Sequence, residues 1–487
     1  MDYVIGIDVG TTNTKSILLS GKGKIIDSKS VSYSLHYPAE GWVEQNPEDW
    51  WQAVVKTVRG LIAENTKCLE SLRGISLSSQ GATLVSLNEQ YEPVYPGISW
   101  MDTRASEISC ELEEEISIRE IYELTGWPLL NGFCFPNIYW LRKYKPDIFA
   151  EVRYFGSTID FINQKLTGRF AIDKTNLAMM LLIDLNTGDY SQRILDILGL
   201  TQDYFPEIIP SGLAIGPLGK KAADELGLPE TVPVISGGHD QYCGNIGSGS
   251  IQTGDCTLSA GTAWVFNGVT DDLFYAPIGK SGQGMVGSVC PGIHILPGRK
   301  GLMSVTPFGG NSLTWFRDVF QPGISFQELD GAAVTAEPGS GLSFIPIMGS
   351  ASGRGAFLNI SGSHTLGDFI RSIYEGVAFI NKKNFDVYGK AGVEIKKLIM
   401  IGGGVNSAVW PQITADVCGV PVQIPDVKEA PCLGAGIIAA VGCGIFSSYR
   451  TAAEKCIRIE KIIKPEMARI QYYGRRYNQF IRESGNV

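Results

Sequence analysis

The sequence predicts an α/β protein built from two domains, and three observations carry that prediction. Short apolar runs end in polar, glycine-bearing turns at 8–15, 259–262 and 401–407, the pattern of strands that deliver loops to one sheet edge. A helix-rich stretch over about 104–230 separates the first run from the other two. The chain has 487 residues, more than one domain usually holds at roughly 100–200 residues each.

Along the chain, 3–8 is a short apolar strand, 9–14 a hydroxyl-rich turn, 15–19 a second strand and 24–28 a third. Asn46-Pro47 then opens a helix over 47–66, as an N-cap followed by a first-turn proline should. Its apolar positions (Trp50, Trp51, Val54, Val55, Val58 and Leu61) have core-facing spacing. Strands are predicted at 73–79 and 82–87, and helices at 107–115, 136–144 and 191–198. A buried strand at 231–237 leads into Gly237-Gly238-His239-Asp240-Gln241, and a helix follows to about 249. The opening pattern then recurs: strand 256–260, Gly261-Thr262, strand 263–268, and later strand 398–401 before Gly402-Gly403-Gly404. The boundary falls near 246–255, giving domains 1–248 and 249–487. No short repeat points to a solenoid.

Composition excludes several classes. Hydrophobic residues at 44% and charged residues at 19% rule out wholesale disorder. Glycine is abundant, 58 residues or about 12% against a typical ~7%, which suits tight turns and backbone close to ligands. A net charge of −9 and a pI near 5.2 argue against nucleic acid as partner but not against a phosphate held by backbone N–H groups. The ten cysteines form no CxxC pair and read as reduced thiols. The four histidines are too scattered for a zinc site; His36, His294 and His364 read as structural or surface residues. The start MDYVIGID lacks a signal-peptide pattern, and the longest apolar run, 432–446, is too short and glycine-rich to span a bilayer. The expectation is a cytoplasmic protein with no membrane partner.

Candidate chemistry lies at the strand ends. Asp8 precedes Gly10-Thr11-Thr12-Asn13 and Lys15. Such a loop can wrap phosphates while the carboxylate holds a hydrated Mg²⁺, or it is a plain hairpin with a polar tip. Asp240 stands where a buried strand meets a helix, as a general base for a substrate hydroxyl or as a structural N-cap. Gly261-Thr262 and Gly402-Gly403-Gly404 suit phosphate or nucleotide. Two motifs are decoys. Gly279-Lys280-Ser281 lacks the upstream glycine of a phosphate-binding P-loop, since Phe274 stands there. Gly434-Ala435-Gly436-Ile437-Ile438-Ala439 matches a dinucleotide fingerprint but reads better as close helix packing. Glu111-Leu112-Glu113-Glu114-Glu115 reads as a solvated helix face.

As an ordered set these elements resemble the FGGY family of carbohydrate kinases over about residues 3–450. The segment Gly41-Trp42-Val43-Glu44-Gln45-Asn46-Pro47-Glu48-Asp49-Trp50-Trp51 is the most specific match. Gly81-Ala82-Thr83 and Trp100-Met101-Asp102-Thr103-Arg104 resemble the family's sugar-contacting strand ends. The resemblance implies two actin-like (ribonuclease-H-like) domains with an ATP and sugar cleft between them. It implies ATP-dependent phosphorylation of a sugar or polyol hydroxyl. Asp240 would be the base, Asp8 the Mg²⁺ ligand, and Gln80, Gly81, Trp100, Asp102 and Gln241 the acceptor contacts. Thr11, Thr12, Asn13, Lys15, Gly261, Thr262, Gly310, Gly403, Gly404 and Ser407 would form the nucleotide site. Family members are often homo-oligomers.

Departures cluster around the acceptor. Ser79-Gln80 stands where xylulokinases usually carry Met-His, Gln241 where they carry Asn, and Asn137 where the family has a common lysine. The Arg-Glu pair of glycerol kinases is absent at Gln80-Gly81, and the 347–355 loop is shorter than usual. A pentulose is favoured. The alternatives are an unusual polyhydroxy signal or modified sugar as substrate, and a non-catalytic actin-like regulator.

Overall fold

The computed structural model describes residues 1–276, 289–346, 355–390 and 392–485. The Gly279-Lys280-Ser281 decoy and nearly all of the 347–355 loop lie outside them. The chain forms two compact units: Met1–Ile251, Gly292–Lys300 and Glu429–Ile457 make the first, and Gln252–Pro291, Gly301–Lys428 and Arg458–Val487 the second. A single cut at 248/249 does not describe this division, because the Ala430–Gly442 helix returns to the first unit.

In the first unit the sheet order is Ala214–Pro217, Pro233–His239, Leu72–Ser79, Tyr3–Val9, Asn13–Ser20, Ile25–Ser32. Tyr3–Val9 pairs antiparallel with Asn13–Ser20, with Asp8 opposite Lys15. It pairs parallel with Leu72–Ser79, with Asp8 opposite Ser78. That strand in turn pairs parallel with Pro233–His239, with Ser79 opposite His239. Three parallel strands therefore end side by side, the place where open α/β sheets bind ligands. The register slips between Ile235 and Gly238, a bulge of the kind that re-aims a strand end. Only glycine fits there, since a methyl on Gly237 would overlap the Leu77 backbone.

The Pro47–Glu64 helix forms as expected. The Asn46 side chain accepts from the Glu48 N–H at 3.2 Å, and Trp50 and Trp51 are buried. The Ala430–Gly442 helix is almost wholly buried and lies backbone to backbone on its neighbours. A methyl on Gly434 would overlap the Cys243 carbonyl, and one on Gly6 would overlap Cys432 and Gly436. The glycines of this segment serve helix packing, as the sequence suggested, and not a dinucleotide.

The second unit repeats the plan. Asp255–Ala260 pairs antiparallel with Trp264–Thr270 and parallel with Lys397–Ile401, with Ser259 opposite Ile401. Trp264, Phe266, Leu302, Ile373, Tyr388 and Met400 fill its core. Two sequence-based elements are adjusted. The strand expected at 82–87 is only Val85–Leu87, because Ala82 takes a left-handed conformation (φ 60°). The strand expected at 231–237 extends to His239.

All ten cysteines are free, and seven of them are buried. Among the described residues no helix is long and apolar enough to cross a membrane. His294 is buried, accepts from the Leu296 N–H at 3.0 Å, and is held neutral by burial. His36 is exposed and His364 is half-buried.

Candidate active site

In the first unit the three strand ends bring Asp8, Gln80-Gly81 and His239-Asp240 to one edge. Asp8 leaves its strand as the hairpin turn begins, and the turn is closed by Gly10 N–H donating to Asn13 O at 3.0 Å. Tyr33 clasps the turn from behind, its hydroxyl donating to the Gly10 carbonyl at 2.5 Å. Thr11 and Asn13 are half-buried and Thr12 is exposed. Ser78 donates to Asp8 at 2.7 Å. Lys15 is ion-paired with Glu429 at 2.5 Å, so the loop's lysine already has a carboxylate partner.

Asp8 remains half-exposed by area, yet protein surrounds its carboxylate on most sides. Burial first, and then the nearby Asp240 carboxylate, push its pKa up to about 7. Asp240 is likewise pushed up to about 7 by burial, with Gln241 N–H and side-chain donors pulling the other way. Two carboxylates held this way attract a cation. Among the described residues no cluster of three or more acidic, His or Cys side chains could form a full metal cage. That suits Mg²⁺, which is commonly held by one or two carboxylates plus water and substrate phosphates. The donor set fits Mg²⁺ arriving with a nucleotide, and Asp8 is the residue that would hold it.

Asp240 begins the Asp240–Ser248 helix as its first residue, while His239 is the N-cap and no side chain caps the helix. The plain N-cap role for Asp240 is thus set aside. His239 Nε2 lies 3.2 Å from Asp240 Oδ1, but burial lowers the His239 pKa to about 4, so near neutral pH the contact is not an ion pair. Gly81 makes room for this ring, since a methyl there would sit 2.7 Å from His239 Cδ2. Several buried polar atoms at these strand ends make no hydrogen bond: Gln80 Oε1, Thr83 Oγ1 and His239 Nδ1, and Asp240 Oδ1 has only the 3.2 Å contact with His239 Nε2. Buried polar groups are nearly always paired, so this edge is built to receive a polar ligand.

Gln80 donates to Gln45 Oε1 at 2.8 Å, and Gln45 donates to the Thr11 carbonyl at 2.8 Å. Trp100 is 47% exposed and donates its indole N–H to Thr11 Oγ1 at 3.0 Å. Gln45 was not singled out as a site residue, although it lies inside the most specific sequence match.

Asp102 is a correction. Its carboxylate accepts from Val43 N at 2.5 Å, Arg104 N at 2.8 Å, Arg104 Nε at 2.9 Å and Arg104 Nη2 at 2.8 Å. Four donors fill a carboxylate's four lone-pair positions, leaving none for a sugar hydroxyl. Arg104 also reaches Glu44 at 2.9 Å and lies over Trp42, 3.9 Å from the ring centroid. The two sequence blocks 41–51 and 100–104 are therefore a folding unit around a buried guanidinium. Asp102→Asn is expected to cost about 3–5 kcal/mol, because it leaves that charge under-compensated. A thermal melt should show the loss, with the sugar KM of the folded enzyme little changed.

Asn137, at the position of the family lysine, is buried and donates to the Phe133 carbonyl at 3.0 Å. It takes a place in the helix interior.

In the second unit, Gly310 N–H donates to Gly261 O at 3.2 Å and Asn311 N–H to Thr262 O at 3.0 Å. This closes the Gly261-Thr262 turn onto the start of the Gly310–Phe320 helix. Gly402, with φ 87°, starts the Gly403–Asn406 turn, and a methyl on Gly404 would lie 2.7 Å from Ala260 Cβ. Gly261, Thr262, Gly310, Gly403 and Gly404 thus converge at one end of this sheet. Ser407 is a second correction. Its hydroxyl bonds to Asp330 and accepts from Trp410 N at 2.9 Å and Val409 N at 3.2 Å. It anchors the loop and has no hydroxyl proton to spare for a nucleotide.

Comparison with known proteins agrees with this layout. Models of the N-terminal and C-terminal domains of the FGGY family of carbohydrate kinases match residues 3–247 and 325–443. The xylulose kinase of Lactococcus lactis is 33% identical over 470 residues, covering 95% of this chain and 92% of that protein. The xylulose kinase of Bacillus subtilis is 29% identical over 485 residues, covering 97% and 95%. The crystal structure of a xyloylose kinase from Brucella ovis superposes with a TM-score of 0.91 at 25% identity over 99% of both chains. The two units are the two actin-like domains of such enzymes, and the chain belongs to the FGGY family of carbohydrate kinases.

Proposed function

We propose that this sugar kinase transfers the γ-phosphoryl group of ATP to a hydroxyl of a pentulose of the xylulose type, with Asp240 as the base. The observation that carries the reading is the set of buried polar atoms without a hydrogen bond on Gln80, Thr83 and His239, beside Asp240, at the strand ends that also hold Asp8. A small polyhydroxylated molecule supplies the donors and acceptors these atoms lack. The names of the similar proteins favour a ketopentose among such molecules.

Phosphoryl transfer needs little covalent help from a protein, so positioning and electrostatics dominate. Mg²⁺, when bound, offsets charge on the β- and γ-phosphates. In the first unit the backbone around Gly10–Asn13 would face phosphate; in the second, Gly261–Thr262 would face phosphate and Gly403-Gly404 the adenosine. Asp240 would orient the acceptor hydroxyl and take its proton late, since that hydroxyl is a far weaker acid than any carboxyl. Asp102 holds Arg104 and Ser407 holds its loop; neither is given a substrate contact. Gln80 and Gln241 would select among acceptors, because a site built to pair hydroxyls rejects a sugar that lacks one.

The test is ADP release with Mg-ATP against pentuloses, hexuloses, aldonates and polyols. Strong preference for a ketopentose supports the reading. Preference for a different acceptor class overturns the pentulose assignment, and the absence of any acceptor would favour a sugar-binding regulator.

The pH profile adds a second check. Asp240 serves as a base only when ionised, and burial raises its pKa. Activity is therefore present at high pH and lost as pH falls through that raised value. The acid limb of kcat/KM is expected well above the ordinary carboxylate range near ~4. A limb at that ordinary value would contradict the assignment.

A further inference from the structure

We propose that Asp173, Thr175 and Asn176 form a buried clamp that fixes the two strand ends carrying Gln80 and Asp240, and that Thr175 is a positioning residue for phosphoryl transfer. The inference rests on the role given to Asp240 above.

Asp173 precedes the Lys174–Met179 helix and is fully buried. Its carboxylate accepts from Thr175 N at 2.8 Å, Asn176 N at 3.1 Å and Asn176 Nδ2 at 2.6 Å, and also from the Thr175 hydroxyl. Capping a single helical turn needs only the backbone donors. The two side-chain donors do something else, because each fixes the orientation of a group that reaches on to a strand end.

Thr175 gives its only hydroxyl proton to Asp173, so its oxygen is left as an acceptor. It accepts from the His239 N–H at 2.8 Å. Asn176 gives its amide protons toward Asp173, which turns its Oδ1 outward. That oxygen receives the Ser79 hydroxyl at 3.3 Å. Ser79 is the residue before Gln80, and its hydroxyl also lies 3.1 Å from the Gln80 carbonyl. One carboxylate thus holds the residues next to Asp240 and Gln80 through two parallel arms.

The bulge shows what the clamp steadies. The register shifts between Ile235 and Gly238, and the strand end then pairs again, with Gly238 opposite Ser78 and His239 opposite Ser79. The His239 N–H is buried and would otherwise need another acceptor. Gly238 suits this crowded turn, since a methyl there would meet Ile295 at 2.5 Å and come within 3.3 Å of Thr175 Oγ1. Strand end, bulge and hydroxyl form one arrangement, and Asp240 leaves it by a single bond along the chain.

Positional errors of about 1 Å can cost ~10²-fold in rate. Thr175→Val keeps the shape and removes the acceptor, and Thr175→Ser restores it. The variants are compared with wild type and Asp240→Asn, using the sugar that the wild-type enzyme phosphorylates fastest. Thr175→Val is expected to lower kcat at least about tenfold, with the ATP KM within about twofold and kcat largely restored in Thr175→Ser. A purely structural role would lower the melting temperature and leave kcat of the folded enzyme intact. If Thr175→Val turns over like wild type while Asp240→Asn is inactive, the clamp is overturned and the role of Asp240 stands. If Asp240→Asn itself turns over like wild type, the Asp240 reading fails and takes the clamp with it. Should Thr175→Val not fold, Ser79→Ala tests the other arm: a fall in kcat at unchanged ATP KM supports the clamp, and unchanged kcat overturns it.

Discussion

Asp240→Asn is expected to lower kcat by about 10²–10⁴-fold, the usual contribution of a positioned acid or base, while Mg-ATP still binds. The substitution is nearly isosteric and keeps the start of the Asp240–Ser248 helix, because no side chain caps that helix. What it removes is the ability to take a proton, and a carboxylate whose charge raises the pKa of Asp8. Asp8 should then ionise more readily, since the Asp240 charge is among the causes of its raised pKa. Nucleotide binding by calorimetry should therefore change little or tighten. Turnover within a few-fold of wild type would remove Asp240 from the chemistry.

Gly434→Ala should act on the fold instead. The Ala430–Gly442 helix touches its neighbours through backbone atoms. The position of a Gly434 methyl is taken by the Cys243 carbonyl, and a Gly247 methyl would overlap Ala430. Backbone cannot swing aside as a side chain can, so overpacking here should cost about 3 kcal/mol or more. Thermal unfolding should begin at lower temperature, with the first unit lost first. The same helix packs on the Tyr3–Val9 strand through Gly6, so the Asp8 loop should loosen with it. A melting temperature equal to wild type would show that the helix can shift without penalty.

Much of this was legible in the sequence because it is local. The two hairpins followed by parallel strands, the Asn46-Pro47 helix start and the exposed placement of His36 are set by residues a few positions apart. Asp8 and Asp240 were visible because each ends an apolar run. The Asp102 assignment failed for a different reason. Whether a carboxylate is free depends on what fills its lone pairs, and here Arg104 and the Val43 N–H, 59 residues away, fill them all. Ser407 failed likewise, since its partner Asp330 is 77 residues distant. The return of Glu429 to pair with Lys15, 414 residues apart, leaves no local trace. The Asp173 clamp was missed because a short Asp-Lys-Thr-Asn turn reads as an ordinary cap until the two strand ends are placed beside it.

The most direct test of the central claim is the reaction itself: purified protein, Mg-ATP and D-xylulose, with ADP formation and the mass of the sugar product followed together. The account predicts one ADP per phosphorylated pentulose, no sugar phosphate without ATP, and loss of both signals in Asp240→Asn. ATP consumption without a sugar phosphate, or equal product from Asp240→Asn, would contradict it.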